Sequence, residues 1–195
     1  MLDHIAVVGA SLAGLRIAEA LRREGYVGRL TMIGAEDEPP YDRPPLSKKF
    51  LVEDWDEGKL ALLRGGSEEL DAEWKLGQAA ASLDASSLVL TLASGERVDE
   101  VDAIVLATGA RARRLPFGRD LEGIFELRQL TDARSLRAAL GSAKRVVVVG
   151  AGFIGMEVAA SCRQKGLEVV VVDPLPAPLI RGLGPVLGER VAARH

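Results

Sequence analysis

Short apolar runs that end at a glycine recur along the chain, and they predict buried strands of an α/β fold. Residues 5–8 are apolar at every position, which is typical of a strand covered on both faces of a sheet. A glycine-rich turn at 9–14 follows, then residues 15–23 with apolar positions at helical spacing. Gly25 is a natural end for that helix, and residues 30–33 form the next apolar run. The pattern predicts a strand, glycine turn, helix and strand in succession.

The same pattern occurs a second time. Residues 146–149 predict a strand, 150–155 a glycine turn and 156–165 a helix, and a further strand is predicted at 169–172. Aligned without gaps, residues 5–25 and 146–166 are identical at 8 of 21 positions. This internal similarity indicates a structural duplication of one β-α-β unit.

The segments between and after the two units have their own patterns. Residues 38–47 contain four prolines, so we expect this segment to be rigid and extended. Residues 87–92 and 97–98, on either side of a turn at Ser94 and Gly95, predict an antiparallel meander. Another buried strand is expected at 104–107, and a helix at 130–140 with Thr131 as its N-cap. A proline- and glycine-rich tail at 174–188 precedes a short final helix.

The composition excludes several classes of protein. The 25 basic and 28 acidic residues leave a formal net charge of −3, which argues against a nucleic-acid partner. One cysteine and two histidines can hardly assemble a zinc site, so we expect no metal. Cys162 is the single cysteine, so the chain cannot form an internal disulfide, which fits the reducing environment of the cytoplasm. We expect Cys162 to be an inert thiol in the core. No apolar run approaches the roughly 18–20 residues of a membrane span.

The glycines indicate dinucleotide binding. In a G-x-G-x-x-G turn, the first glycine makes the tight turn, the second admits a pyrophosphate, and the third lets helix and strand pack closely. The helix N-terminus then faces the phosphates, and an acid after the second strand holds the ribose. The second unit meets this pattern with Gly150, Gly152, Gly155 and Asp173. Asp173 would repel a 2′-phosphate and no arginine follows it closely, so we expect NADH rather than NADPH.

The first unit departs from the pattern at one position. Gly9 and Gly14 are present, and Glu36 is its candidate ribose ligand, but Ser11 stands at the middle glycine. Serine is small, and its hydroxyl can donate to a phosphate. Two adenine dinucleotides predict a flavin enzyme that takes hydride from a nicotinamide.

With these motifs the sequence resembles the FAD-dependent NAD(P)H:ferredoxin reductases of oxygenase systems, within the glutathione-reductase-like flavoproteins. The resemblance covers the whole chain in family order. It is carried by VVGASLAG at 7–14, PYDRPPLSK at 40–48, LATGA at 106–110, LR at 127–128 and VGAGFIGME at 149–157. The proline-rich segment is the most specific, because disulfide reductases of the superfamily carry redox cysteines in the corresponding region.

The resemblance implies a role for each matching residue. Contacts with FAD are implied for Gly9, Ser11, Ala13, Gly14, Glu36, Arg43, Lys48, Ala80, Thr108, Gly109 and Arg128. Contacts with NADH are implied for Gly150, Gly152, Phe153, Ile154, Gly155 and Asp173. Lys48 and Glu157 would be the catalytic pair, because a lysine near the reactive edge of the flavin stabilises negative charge and a glutamate would hold it in place.

The fold class expected from pattern and resemblance is α/β. A Rossmann-type FAD-binding domain with a β-meander insertion (1–115) precedes the start of a Rossmann-type NAD(H)-binding domain (116–195). Electrons would pass from NADH through FAD to a ferredoxin-type iron–sulfur protein. By resemblance the chain is the N-terminal portion of such a reductase, so we expect it to retain little FAD alone. Two alternatives stay open: a truncated, non-catalytic nucleotide-binding protein, and an NADH oxidoreductase similar to apoptosis-inducing factor.

Overall fold

The computed structural model describes residues 2–53, 55–63, 70–118 and 120–194. The chain divides into two compact units that are not simply consecutive in sequence. The first unit comprises Met1–Asp42 and Leu60–Ala110, and the second comprises Arg43–Lys59 and Arg111–His195. The proline-rich turn therefore packs with the second unit, although it lies within the first predicted domain in sequence.

The first unit contains the strands of the first predicted β-α-β unit and the meander. Its elements are β1 (His4–Val8), α1 (Leu12–Arg23), β2 (Arg29–Ile33), β3 (Glu73–Lys75), β4 (Ala80–Asp84), β5 (Val89–Leu92), β6 (Arg97–Val98) and β7 (Ala103–Leu106). Parallel strands follow the order β3-β2-β1-β7, and β4, β5 and β6 form a separate antiparallel sheet. The predicted meander is confirmed, and β4 is a strand that the sequence pattern did not indicate.

Strand β1 is buried along its whole length, as its unbroken apolar run predicts. On one face, Val7 packs in a cluster with Leu15 of α1, and on the other Val8 packs with Leu90 of the meander. Strand β7 was expected to be buried but is not, because it has a strand neighbour on one side alone in the described sheet. Leu106 at its end is 62% exposed.

An ion cluster lies at the paired ends of β2 and β3. Glu73 accepts from Arg29 at 2.8 Å and from the Lys75 Nζ at 2.9 Å, and Lys75 also reaches Glu96 at 2.9 Å. The hydrogen bonds from Arg29 and Lys75 lower the pKa of Glu73 from 4.5 to about 2. This carboxyl therefore stays ionised well into the acid range.

The second unit contains the second predicted β-α-β unit. Its elements are a 3₁₀ turn (Pro44–Ser47), α2 (Lys49–Val52), α3 (Leu130–Leu140), β8 (Arg145–Val149), α4 (Phe153–Gln164), β9 (Glu168–Val172) and α5 (Ile180–Ala192). A second 3₁₀ turn spans Glu57–Leu60. Strands β8 and β9 pair in parallel, as a β-α-β unit requires.

One face of the β8–β9 pair carries the core. Val148 clusters with Val158 and Cys162 of α4 and with Leu51 of α2. Cys162 is fully buried, which confirms its predicted place in the core, and burial raises the pKa of its thiol. The opposite face is exposed, with accessible fractions between 43% and 57% at Val147, Val149, Val170 and Val172. In the described residues, no helix has the length and apolar character needed to cross a membrane.

Three local predictions in this unit are wrong. The proline-rich segment is not extended throughout, because proline's fixed φ also suits the first turn of a helix and Pro44–Ser47 is a 3₁₀ turn. The α3 N-terminus depends on Asp132, which accepts from the backbone N–H groups of Arg128 and Gln129, rather than on Thr131. The final helix was expected to follow the proline- and glycine-rich tail at 174–188, but it begins within that tail at Ile180, with a break at Gly184.

Candidate functional site

The two glycine turns have closely similar backbone geometry. Gly9 and Gly150 adopt φ angles of +122° and +107°, which side-chain-bearing residues rarely adopt. A Cβ atom on Gly14 would lie 1.9 Å from the Gly9 carbonyl oxygen, and one on Gly155 would lie 1.9 Å from the Gly150 carbonyl oxygen. The last glycine of each turn is therefore required by the strand–helix packing. The first glycine of each turn is required by its positive φ angle.

The middle position of each turn has a different environment. Ser11 and Gly152 both precede a helix in extended conformation. A Cβ on Gly152 would have no protein atom within 4 Å, so packing does not require a glycine there. The open space lies beside the N-terminus of α4, whose first backbone N–H groups have no partner within the helix. The turn therefore fits a pyrophosphate, which needs close approach to backbone donors.

In the first unit, the candidate FAD residues meet at the carboxyl ends of parallel strands. A Cβ on Gly9 would lie 2.0 Å from the Ala107 carbonyl oxygen, so the chain after β7 touches the glycine turn. Thr108 and Gly109 follow directly and are exposed, as is Ala13 in the first turn of α1. Ligands of doubly wound sheets bind at this edge.

Glu36 follows β2 at the same edge and has a partner that the sequence did not reveal. The Tyr41 hydroxyl donates to Glu36 Oε2 at 2.6 Å, and Tyr41 itself is 6% exposed. The backbone N–H of Leu62 bonds the Pro40 carbonyl, which ties the chain beside Tyr41 to the segment after Leu60. Ala80, the candidate for the adenine end, is the exposed first residue of β4.

In the second unit, a cleft of about 380 Å³ lies between the glycine turn, the end of β9 and the start of α5. Asp173 connects the glycine turn to the chain after β9, because its two carboxylate oxygens accept hydrogen bonds from the backbone N–H groups of Ala151 and Leu175, each at 2.8 Å. These hydrogen bonds lower the pKa of Asp173, with a smaller contribution from the charge of Arg181. The predicted ribose ligand thus faces the glycine turn.

Residues at the start of α5 complete the cleft. No arginine follows Asp173 closely in sequence, but Arg181, eight positions later, lines the same cleft as the acid. The Phe153 ring packs on Gly182, where a Cβ would lie 2.6 Å from the ring. Ile154, in the first turn of α4, is 53% exposed.

The proposed catalytic pair lies within the second unit. Lys48 Nζ is 2.6 Å from Glu157 Oε2, and the two side chains are 46% and 34% exposed. Burial raises the pKa of Glu157, but the hydrogen bonds from Lys48 and Ser47 outweigh it, so that the pKa lies below its ordinary value. Glu157 is therefore a carboxylate at neutral pH.

The candidate FAD residues divide between the two units. Arg43 and Arg128 lie in the second unit, where Arg43 Nη1 donates to the Arg128 carbonyl at 2.8 Å. Lys48 lies there too. The first unit holds Gly9, Ser11, Ala13, Gly14, Glu36, Ala80, Thr108 and Gly109. Sequence separation alone does not show this division, because residues 43–59 pack with a segment that begins at residue 111.

Together, the duplicated units and the site geometry define a pyridine-nucleotide-dependent oxidoreductase fold. Residues 3–195 match the family described as pyridine nucleotide-disulphide oxidoreductase, and the chain belongs to this family. The predicted Rossmann-type α/β class is confirmed.

Among curated proteins, rhodocoxin reductase from Rhodococcus erythropolis is 39% identical over 194 residues, covering 98% of this chain and 45% of that protein. The benzene 1,2-dioxygenase system ferredoxin–NAD(+) reductase subunit from Pseudomonas putida is 38% identical, covering 99% and 46%. The crystal structure of the ferredoxin reductase for the CYP199A2 system from Rhodopseudomonas palustris aligns with a TM-score of 0.93 at 37% identity, covering 99% of this chain and 48% of that one. The chain spans about half the length of the curated relatives it matches.

Proposed function

We propose that this chain provides FAD- and NADH-binding elements of a reductase that passes electrons from NADH through FAD to a ferredoxin-type iron–sulfur protein. Support comes from its family and from relatives whose names describe ferredoxin–NAD(+) reductases of oxygenase systems. The single-cysteine composition supports a cytoplasmic location for this activity.

The observation that carries the proposal is the matched pair of glycine turns. In each turn, a Cβ atom placed on the last glycine would lie 1.9 Å from the carbonyl oxygen of the first glycine. Each is followed by an acid beyond the next strand, Glu36 in the first unit and Asp173 in the second. Two dinucleotide sites in one chain are what a flavin-mediated nicotinamide oxidation needs. On this basis 1–115 and 116–195 are the proposed FAD- and NAD(H)-binding domains.

Bound FAD would supply the chemistry that accepts a hydride from a nicotinamide and releases single electrons to an iron–sulfur acceptor. The chain's own contribution is binding and charge. Gly14 and the α1 N-terminus offer backbone donors to phosphates, and Glu36 offers a carboxylate to ribose hydroxyls. The N–H of Gly9 bonds the Ile33 carbonyl at 2.8 Å, so Gly9 contributes the tight turn. Lys48 supplies a positive charge that Glu157 orients. An ion pair this exposed is worth only about 0–1 kcal/mol of stability, so its value is positional.

Nucleotide preference follows from the cleft in the second unit. The Asp173 carboxylate would accept hydrogen bonds from ribose hydroxyls and repel a 2′-phosphate. Arg181 reduces this repulsion without removing it, because its charge has the smallest influence among the groups that act on the pKa of Asp173. We therefore propose NADH as the preferred donor.

The proposal is tested by titrating the purified chain with excess FAD and then adding NADH or NADPH anaerobically. Binding of FAD would quench flavin fluorescence, and NADH would bleach the visible flavin absorbance faster than NADPH. Addition of a ferredoxin should then re-oxidise the flavin. FAD binding without bleaching by NADH would refute the reductase function and favour a non-catalytic nucleotide-binding protein.

A further inference from the structure

Ser47, the last residue of the 3₁₀ turn, connects that turn to the proposed catalytic pair. Its hydroxyl lies 2.5 Å from Glu157 Oε2 and 3.3 Å from the Pro44 carbonyl. A serine hydroxyl has one proton to donate, and the nearer, charged acceptor gives the stronger bond. Ser47 therefore donates to the Glu157 carboxylate.

The same face of α4 also holds the backbone of Ser47. Ser161 lies four residues after Glu157, so the two side chains project from one side of the helix. The Ser161 hydroxyl donates to the Ser47 carbonyl at 2.7 Å. Ser47 and Ser161 are each 4% exposed, so bulk water has little access to either hydroxyl. Ser47 is thus held at its side chain and its backbone by residues one helical turn apart.

Lys48 depends on this arrangement because it follows Ser47 directly. Its Nζ shares Glu157 Oε2 with the Ser47 hydroxyl, so consecutive residues supply two donors to one oxygen. Lys48 has four rotatable side-chain bonds and is nearly half exposed, and an exposed ion pair by itself fixes such a side chain weakly. When the Ser47 hydroxyl fixes the Glu157 carboxylate, the Lys48 ammonium has one defined position in which to bind it.

We propose that Ser47 is a positioning residue for the Lys48–Glu157 pair and that Ser161 holds Ser47 in place for it. The hydrogen bonds stand on the structure alone, whereas their importance for flavin reduction rests on the proposed function. Ser47 acts through Glu157 and is not itself a catalytic residue.

The first experiment needs no bound flavin. The side-chain carboxyl of Glu157 is titrated by carbon NMR in the full chain, with its signal assigned by loss in Glu157→Gln. Ser47→Ala should raise the pKa of Glu157, because a donor to the charged form is lost, and Ser47→Thr should restore it. Ser135→Ala is the matched control, because the exposed Ser135 hydroxyl donates to the Thr131 carbonyl within α3. An unchanged Glu157 titration in Ser47→Ala would overturn the proposal.

The second experiment measures flavin reduction by NADH in the FAD-loaded protein. Loss of a hydrogen bond to a charged group predicts a rate about ten- to hundredfold lower in Ser47→Ala, with unchanged NADH affinity. Ser161→Ala should lower the rate in the same direction, and Ser135→Ala should not. In a Glu157→Ala background, Ser47→Ala should have no further effect, since its acceptor is gone.

The two proposals can fail separately. Additive effects of Ser47→Ala and Glu157→Ala on the rate would show that Ser47 does not act through Glu157, and would overturn the inference while leaving the reductase function intact. If the unsubstituted chain shows no reduction by NADH, the proposed function fails. The carboxyl titration then decides by itself whether Ser47 positions Glu157.

Discussion

Two glycines of one turn separate the demands of packing from those of nucleotide binding. Gly155→Ala would place a Cβ 1.9 Å from the Gly150 carbonyl oxygen and 3.1 Å from its carbonyl carbon. Gly152→Ala would place a Cβ where no protein atom lies within 4 Å, at a backbone φ of −77° that alanine adopts easily. The same added methyl group should therefore have opposite consequences at positions three residues apart.

The expected magnitudes follow from what the methyl group meets. At Gly155 the obstacle is backbone, so the helix must move away from the turn, and we expect a loss of about 3 kcal/mol in the free energy of unfolding. At Gly152 the weaker N-cap and the reduced freedom of the unfolded chain nearly cancel, so the change should stay within about 0.5 kcal/mol. The Gly152 methyl would, however, occupy the space of a pyrophosphate, so NADH affinity should fall at least about tenfold, or ~1.4 kcal/mol.

The two tryptophans allow a specific assay. Trp55 lies in the second unit and Trp74 in the first, so Trp55 fluorescence in a Trp74→Phe background reports on the unit that holds both glycines. Urea titrations give the free energy of unfolding, and calorimetric titration gives the NADH dissociation constant.

The reasoning fails if Gly155→Ala unfolds with the free energy of the unsubstituted chain, since the clash with the Gly150 carbonyl would then carry no cost. It fails equally if Gly152→Ala binds NADH as tightly as before, because the open space beside α4 would then not be the pyrophosphate site. Loss of stability in Gly152→Ala would show that packing, rather than a ligand, demands a glycine there.

Three further outcomes are expected. Tyr41→Phe should weaken FAD binding about three- to tenfold, because the hydroxyl that orients Glu36 is lost, while Tyr26→Phe should not; equilibrium fluorescence titration measures both. Glu73, with its pKa lowered from 4.5 to about 2, stabilises the first unit above pH 4.5, and this stability is lost as pH falls towards 2. Glu73→Gln should make the free energy of unfolding depend less on pH below pH 4.5, and this difference should be smaller in high salt. An unchanged pH dependence in Glu73→Gln would contradict the role of the ion cluster. Asp173→Ala should lower the ratio of the NADPH dissociation constant to the NADH dissociation constant, because Arg181 can then attract a 2′-phosphate without the opposing carboxylate.

Local patterns were sufficient for both β-α-β units. The unbroken apolar run at 5–8 predicted a strand covered on both faces, and it is buried throughout. Glycines at 9 and 150 were recognisable because their positive φ is a local backbone demand that few other residues meet. The predicted helix starts were three residues late, because residues 12–14 and 153–155 belong to the glycine motif and were assigned to the turn, whereas they form the first turn of each helix.

The pairing of particular side chains was beyond the sequence patterns. The Tyr41–Glu36 bond and the placement of Arg181 in the cleft of Asp173 each join residues whose own neighbours carry no sign of the partner. Leu106 belongs to an apolar run like that of β1, yet it is exposed because its strand lies at an edge of the described sheet.

The sequence by itself determined the elements, the two glycine turns and the residue types that dinucleotides require, because these depend on backbone angles and side-chain spacing within a few residues. Only the tertiary structure decided that residues 43–59 pack with the second unit and that Ser47 and Lys48 both bind one carboxylate oxygen of Glu157. That outcome depends on which apolar faces bury one another across more than a hundred residues of chain, and no local pattern contains this information.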